Sequence, residues 1–362
     1  MKKHNETNER LKREYFGYLK EAKSLGEQSI DAVAFALARF EAYTKFRDFG
    51  RFHQEQAIAF KRHLAEQANQ RGSGKLSKST VRSTLAALRS FFFWLAGRPG
   101  FRSRLSFADA QYFNPSDRDT RIALGHRPRA VPSLEQVGHV LASMPSGSVI
   151  ERRDRALIAF VLISGCRERA VVTLKLKHVD LERGLVFQDA REVQTKFGKT
   201  ITTYFFPVGE LALQVVTDWI AELQTERLWG QDDPVFPSTL MAQGDDTQFC
   251  AVGLQRCHWS NADPVRRIFK AAFTSAALPY YHPHSFRHML AQLGQRLCRT
   301  PEQMKAWSQN LGHAHMMTTF ASYGQVEDHR QGEIIQDLSR SRATDGSERR
   351  VLDEIIRLAN RS

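Results

Sequence analysis

The sequence predicts a mainly α-helical chain with a small antiparallel β-sheet, divided into two domains. Apolar residues recur every three to four positions through most of residues 1–113, as helices require. Short alternating stretches flank Lys196-Phe197-Gly198-Lys199, the pattern of a β-hairpin. Positive charge is one-sided. Residues 1–130 hold 25 Lys and Arg against 13 Asp and Glu, a net of +12, whereas residues 131–362 hold 27 against 26, a net of +1.

In chain order, Leu11, Tyr15, Tyr18, Leu19 and Ala22 keep a helical period. Helical runs follow over residues 30–46 (Val33, Leu37, Phe40, Tyr43) and 54–68 (Ile58, Phe60, Leu64). Gly72-Ser73-Gly74 marks a loop, and Ser77 or Ser79 caps a further helix through Leu85, Leu88, Phe91 and Leu95. Phe91, Phe92, Phe93 and Trp94 are read as packing, because clustered aromatics at helical spacing fill cores. The basic residues Arg71, Lys75, Lys78 and Arg82 around that loop are the candidates for phosphate contact. Residues 114–132, rich in Pro, Gly, Asp and Arg and without periodicity, read as a basic interdomain linker.

The second domain is expected over residues 133–340. It opens on a capping box, Ser133 with Gln136, and continues into a strongly apolar buried helix over Arg155 to Leu162. Strands are expected at 185–188, 191–195 and 200–206. A helix follows over 209–223, then an irregular stretch over 239–262, and a helix from Asp263-Pro264 through Phe273. Pro283 starts another helix, on which His284 and Arg287 share a face near the positive end of the helix dipole, a seat for phosphate. Thr300, Pro301 and Gln303 open one more, which Gly312 ends, so that His313 sits on a turn. Residues 341–362 read as a tail with an amphipathic helix (Val351, Leu352, Ile355, Ile356, Ala359).

Composition narrows the function. With 42% hydrophobic and 25% charged residues the chain is globular, and its longest apolar run, residues 156–166, is too short to cross a bilayer. The N-terminal charges lead into no apolar signal core, and 4 cysteines without framework spacing suggest a reducing cytoplasm. A net charge of +13, gathered in one segment, favours a polyanionic partner such as duplex DNA.

The spelling His284-x-x-Arg287-His288, then Leu311-Gly312-His313, then Thr319-x-x-x-Tyr323 resembles the tyrosine recombinase/integrase family. Ser164-Gly165-Cys166-Arg167 is similar to its first arginine motif, usually T/S-G-x-R-x-x-E-L. Lys196 lies where the family places a lysine in a β-hairpin, with Lys199 as the alternative. The sequence departs from the family at two points. Tyr323 follows His313 by ten residues where nine are usual, and Ala170 stands where the family has an acid, with Glu168 as the stand-in. If all helical, ten residues span about 15 Å, so the chain must bend for His313 and Tyr323 to share a site.

The resemblance implies a SAM-like helical core-binding domain over residues 1–113 and a DNA breaking-rejoining catalytic domain over 133–340. The tail is implied to be exchanged between protomers. The implied partners are duplex DNA carrying specific recombination sites, a homotetramer on that DNA, and accessory bending or directionality factors. Physically, Arg167 and Arg287 suit the nonbridging oxygens of a phosphodiester, whose negative charge grows as a nucleophile adds. The Tyr323 phenol suits the nucleophile. His284 takes its proton or donates to the phosphate, His313 donates to a nonbridging oxygen, and Lys196 protonates the 5′-hydroxyl leaving group. By resemblance the adduct is a 3′-phosphotyrosine, requiring no metal and no other cofactor.

Three other readings stay open at this point. One is a metal site, since His282, His284, His288, His313 and His315 crowd together and Cys257-His258 lies upstream. Against it, the C-x-x-C and H-E-x-x-H spacings are absent. The others are a type IB topoisomerase-like relaxase and a DNA-binding protein whose active site has decayed.

Overall fold

The computed structural model describes residues 4–69, 74–125, 130–243 and 248–313, with Gly332, Glu333 and Gln336. Arg71, His315, Tyr323 and the tail 341–362 lie outside the described residues. The chain divides into two compact units, Met1–Gly125 and His126–Ser362.

The first unit is helical: α1 Glu6–Glu21, α2 Glu27–Tyr43, α3 Gln54–Glu66, α4 Lys78–Ala96, α5 Phe107–Gln111 and α6 Asp117–Leu124. Its helices start where side chains satisfy the open N–H groups of the first turn. Asn5 caps α1, a His53/Gln56 box caps α3, and of the two serines considered Ser77 caps α4. The core is aromatic. The Phe40 ring lies 5.1 Å from Phe60, 5.5 Å from Phe92 and 5.6 Å from Phe113, edge-on in each case. Phe91 and Phe92 are buried as expected, but Phe93 is 52% exposed and lies tilted against Phe107, because it projects from the opposite face of α4.

One polar residue organises this core. Asn8 is fully buried; its amide donates to Glu41 Oε1 at 3.1 Å and to the Arg47 carbonyl at 3.0 Å, and its oxygen accepts from the Phe49 N–H at 2.9 Å. Lys12 neutralises Glu41 from 2.6 Å. The loop between α2 and α3 is thereby fixed to α1.

The stretch 114–132, expected to be irregular, contains α6. Ser116 caps it and Asp117 and Asp119 occupy its first turn, where carboxylates favour the dipole. None of its residues is buried, so no apolar stripe announces it in the sequence. Lys78 pairs with Asp119 at 2.7 Å, and Lys75 pairs with Glu66, so two of the expected phosphate contacts are engaged within the protein. Arg82 is exposed.

The second unit is built around α8 (Val149–Ser164), whose residues from Ala156 to Ser164 are all buried; α7 (Leu134–Ser143) precedes it and α9 (Glu168–Val171) follows. Strands β1 Val179–Asp180, β2 Leu185–Gln188 and β3 Ile201–Tyr204 form an antiparallel sheet in the order β1-β2-β3. The strand expected at 191–195 does not form. Asp189 accepts from the Arg191 N–H at 3.0 Å and its carbonyl from Val193 at 2.7 Å, closing a turn where the alternation suggested extension.

Helix α10 (Glu210–Ala221) continues to Glu226 in a wider coil. The stretch 239–262, expected to be irregular, instead carries a hairpin of β4 Ser238–Gln243 and β5 Phe249–Gln255. Its strands are exposed on both faces, so they lack the in–out alternation by which strands are recognised. Buried Arg153 anchors its base, donating to the Pro237 carbonyl at 3.0 Å and Thr239 Oγ1 at 2.9 Å. Helices α11 Asp263–Ser275, α12 Pro283–Leu297 and α13 Pro301–Asn310 complete the unit. Among the described residues no helix is long and apolar enough to cross a membrane.

Replacing Asn8 by Ala leaves the Phe49 N–H unpaired and removes a partner of Glu41. A buried unsatisfied group costs about 1–3 kcal/mol, so Asn8→Ala is expected to lower stability by roughly 2–4 kcal/mol in urea unfolding of the full chain. A change under about 0.5 kcal/mol would show that water replaces the network without penalty.

Candidate active site

Three segments distant in sequence meet at the end of α8. The helix closes on Gly165, in the left-handed conformation at φ 58°, and the chain then passes Cys166 to Arg167, the N-cap of α9. A Cβ on Gly165 would lie 2.9 Å from Leu290 Cδ1 on α12 and 3.3 Å from Leu311 Cδ2, just past α13. Only glycine supplies both the positive φ and the close approach. Pro283 opens α12, as expected, and carries His284 and Arg287 on its first turns. The Thr300/Gln303 box opens α13, and Gly312 at φ 65° ends it and sets His313 on a turn.

Arg287 is 5% exposed. Its Nη1 donates to the Gly165 carbonyl and its Nη2 to the Leu311 carbonyl, tying the three segments together. Its Nε has no hydrogen-bond partner among the described residues. Burial, then the charge of Arg167, brings its pKa down to about 9. Arg167 is half-buried, and its guanidinium makes no hydrogen bond or ion pair with another described residue; burial lowers its pKa too. A Cβ on Gly312 would lie 3.8 Å from Arg167 Nη1, which places this guanidinium beside the turn of His313. Two guanidinia side by side, neither facing a carboxylate, define a site for an anion.

Glu168, the expected stand-in for the missing acid, does not serve Arg167. It is turned to Arg266, whose Nε donates to both carboxylate oxygens at 3.1 Å. Ala170 is 1% exposed and sits in the core. The charge of Arg167 is left for a ligand.

The imidazoles around this pair are held neutral. His284 is open to solvent on its outer side. The protein packed behind it, followed by the charges of His288, Arg287, His282 and Arg167, pushes its pKa down to about 3. His313 goes down to about 4, through burial, then Arg287 and Arg167, with Lys196 contributing. The His284 and His288 rings meet edge to face at 4.8 Å. Among the described residues, no group of three or more His, Cys, Asp or Glu has the geometry to hold a metal ion. Cys166 is buried and its thiol is pushed up to about 11, which makes it inert.

Lys196 and Lys199 lie on the connection between β2 and β3, both exposed. Lys196 Nζ sits 4.9 Å from the ring centre of Phe197, which is 82% exposed and in the left-handed conformation at φ 62°. Holding a bulky side chain there costs on the order of 1–3 kcal/mol. The structure thus brings Arg167, Arg287, His284 and His313 together, with Lys196 near enough to act on His313; the position of Tyr323 lies outside the described residues.

Sequence reasoning missed Asn310. Its Oδ1 accepts from the Tyr204 N–H at 2.7 Å, and its Nδ2 donates to the Tyr204 carbonyl at 2.8 Å. An Asn two residues before a helix-ending glycine carries no local sign of a strand more than 100 residues upstream.

Known proteins share this fold. Residues 133–330 match the phage integrase family. Tyrosine recombinase XerC of Halalkalibacterium halodurans is 26% identical over 310 residues, covering 82% of this chain and 87% of that protein. XerC of Xylella fastidiosa strain 9a5c is 25% identical over 310 residues, covering 86% and 90%. In fold, a lambda integrase dimer bound to a core site superposes with a TM-score of 0.60 at 13% identity, covering 88% of this chain and 96% of that one. XerH recombinase bound to its difH substrate gives 0.54 at 18% identity, covering 87% and 81%. The fold and the family match define an enzyme that cleaves and rejoins DNA strands in site-specific recombination. The chain belongs to the phage integrase family of tyrosine recombinases.

Two outcomes check the site. Gly165→Ala forces a Cβ into the left-handed region and against Leu290, and is expected to cost about 2–3 kcal/mol by thermal or urea unfolding. Neutral stability there would mean that α8 ends another way. Second, His284 and His313 have folded-state pKa values below the ordinary 6.5. Their contribution to stability is therefore complete above pH 6.5 and is lost as pH falls through about 4 for His313 and about 3 for His284, because the unfolded chain takes up the protons first. NMR titration is expected to place both midpoints well below 6.5, and saturating inorganic phosphate to raise both. Midpoints near 6.5 that ignore phosphate would refute the anion site.

Proposed function

We propose that this chain integrates or excises a mobile element through a covalent 3′-phosphotyrosine at Tyr323. The observation that carries the reading is the pairing of Arg287, anchored by two carbonyls, with Arg167, whose guanidinium has no partner among the described residues. The two guanidinia take the nonbridging oxygens of the scissile phosphate. Arg287 is fixed before substrate arrives, so stabilising the charge that develops requires little reorganisation.

The Tyr323 oxygen attacks phosphorus and its proton passes to His284, which is neutral and able to accept it. Bound phosphate raises the low pKa of this histidine as it offsets the guanidinium charges. The bond from phosphorus to the 5′ oxygen breaks, and Lys196 delivers a proton to that oxygen, with Lys199 next in line. His313 donates its N–H to a nonbridging oxygen. Attack by a free 5′-hydroxyl on a second duplex reverses these steps and joins new partners.

Residues 1–113 hold the duplex backbone through Arg71 and Arg82, with Lys75 and Lys78 joining them by exchanging their surface ion pairs with Glu66 and Asp119 for phosphate. Exchange between two sites calls for several protomers, as a homotetramer on DNA with accessory bending or directionality factors. The site of action is the cytoplasm. Neighbours in fold support the reading: one is a lambda integrase on its core site and another a transposon integrase with transposon-end DNA.

Incubating the full chain with a pool of nicked duplexes from the DNA that flanks its own coding region, then denaturing, is expected to trap protein on DNA. Tyr323→Phe is expected to abolish the adduct, and Arg167→Ala and Arg287→Ala to reduce it by at least 100-fold, on the scale of losing an anion-stabilising donor. An adduct that survives Tyr323→Phe assigns the nucleophile elsewhere. Duplex binding with no adduct from the unaltered chain is the outcome of a decayed site.

A further inference from the structure

We propose that Asn310 is a positioning residue for strand cleavage: its side chain acts as a one-residue strand, locking the turn of His313 to the hairpin that carries Lys196. The proposal rests on the site reading above and adds a part to it.

Strand β3 lies at the edge of its sheet, paired on one side with β2 in the register Leu185↔Tyr204. On the other side the backbone N–H and carbonyl of Tyr204 face Asn310, whose carboxamide satisfies both, as a neighbouring strand would. The donor N–H of Tyr204 fixes which end of the amide is oxygen. Asparagine is the shortest side chain holding a donor and an acceptor on one carbon. Aspartate loses the donor, leucine loses both, and glutamine is one methylene too long.

A second bond reinforces the first. Thr203 Oγ1 donates to the Asn310 carbonyl at 3.2 Å, and itself accepts from Gln188 Nε2 at 3.0 Å, so β2 also feels the end of α13. At its other end β3 touches the same turn, since a Cβ on Gly312 would meet Ile201 Cδ1 at 2.9 Å. Ile201 is five residues beyond Lys196 and Gly312 immediately precedes His313. Arg287 holds this turn from below through the Leu311 carbonyl. The proton donor on the hairpin and the imidazole on the turn are therefore parts of one clamped body, although Lys196 itself is exposed.

Asn310→Leu and Asn310→Asp test this, with Thr203→Val as a milder second break; melting temperatures within a few degrees of the parent confirm folding. The duplex recovered by adduct trapping is made with either oxygen or sulfur at the bridging 5′ position. A thiolate leaves without a proton, so the sulfur duplex bypasses Lys196. Asn310→Leu is expected to slow adduct formation about 10- to 100-fold on the oxygen duplex, part of what a positioned general acid contributes. On the sulfur duplex the slowing should shrink to within about threefold, as expected when an acid is bypassed. Equal slowing on both duplexes, or none on either, overturns the proposal. Lys196→Ala, measured beside it, separates the two levels: if sulfur fails to rescue that variant, the acid assignment falls. The lock is then judged without DNA, by NMR titration of the imidazoles. A His313 midpoint that moves towards 6.5 in Asn310→Leu while that of His284 stays supports it, and an unmoved His313 refutes it.

Discussion

The catalytic unit depends on one buried cation. Arg287 donates to the carbonyls of Gly165 and Leu311, each at the end of a helix, where carbonyls lack partners within the helix and the dipole is negative. Burying a guanidinium is expensive, and two helix C-termini offset part of that expense. Every other feature of the site follows from this tie. Gly165 must be left-handed to present its carbonyl, α13 must stop at Gly312 to present that of Leu311, and Arg167 is brought alongside with its charge unspent.

Much of this was legible in the sequence. The helix starts at Ser133 and Thr300 are local events, set by capping side chains three residues apart, and that of α12 is set by Pro283 at its first position. Helical spacing and a helix-ending glycine also set Arg287 on the first turns of α12 and His313 on the turn after α13. The errors share another cause. Helix α6 and the hairpin β4–β5 bury almost nothing, so hydrophobic periodicity was silent. The strand expected at 191–195 failed because Asp189 turns the chain. Glu168 looked like a partner for Arg167 through adjacency, yet Arg266, nearly 100 residues on, claims it. Interactions of high sequence separation leave no local signature.

The two units are stabilised differently. The first sets aromatic rings around Phe40 and fixes a loop through Asn8, whereas the second wraps a helix apolar on all sides. A surface-type helix such as α4 retains a face for charge. Helix α8 retains none along Ala156 to Ser164, and its ends alone present polar groups. The site therefore sits at the terminus of a deeply buried helix, which suits a phosphate whose geometry must be held closely.

The unpaired charge of Arg167 beside Arg287 has a consequence for what the site rejects. Five histidines in this part of the sequence would ordinarily invite divalent ions from the medium. A dication approaching His284 or His313 meets two fixed positive charges and, among the described residues, no carboxylate able to offset them. Burial lowers the two imidazoles first, and the arginines add to it by sign, a field that an anion seated between the guanidinia would cancel.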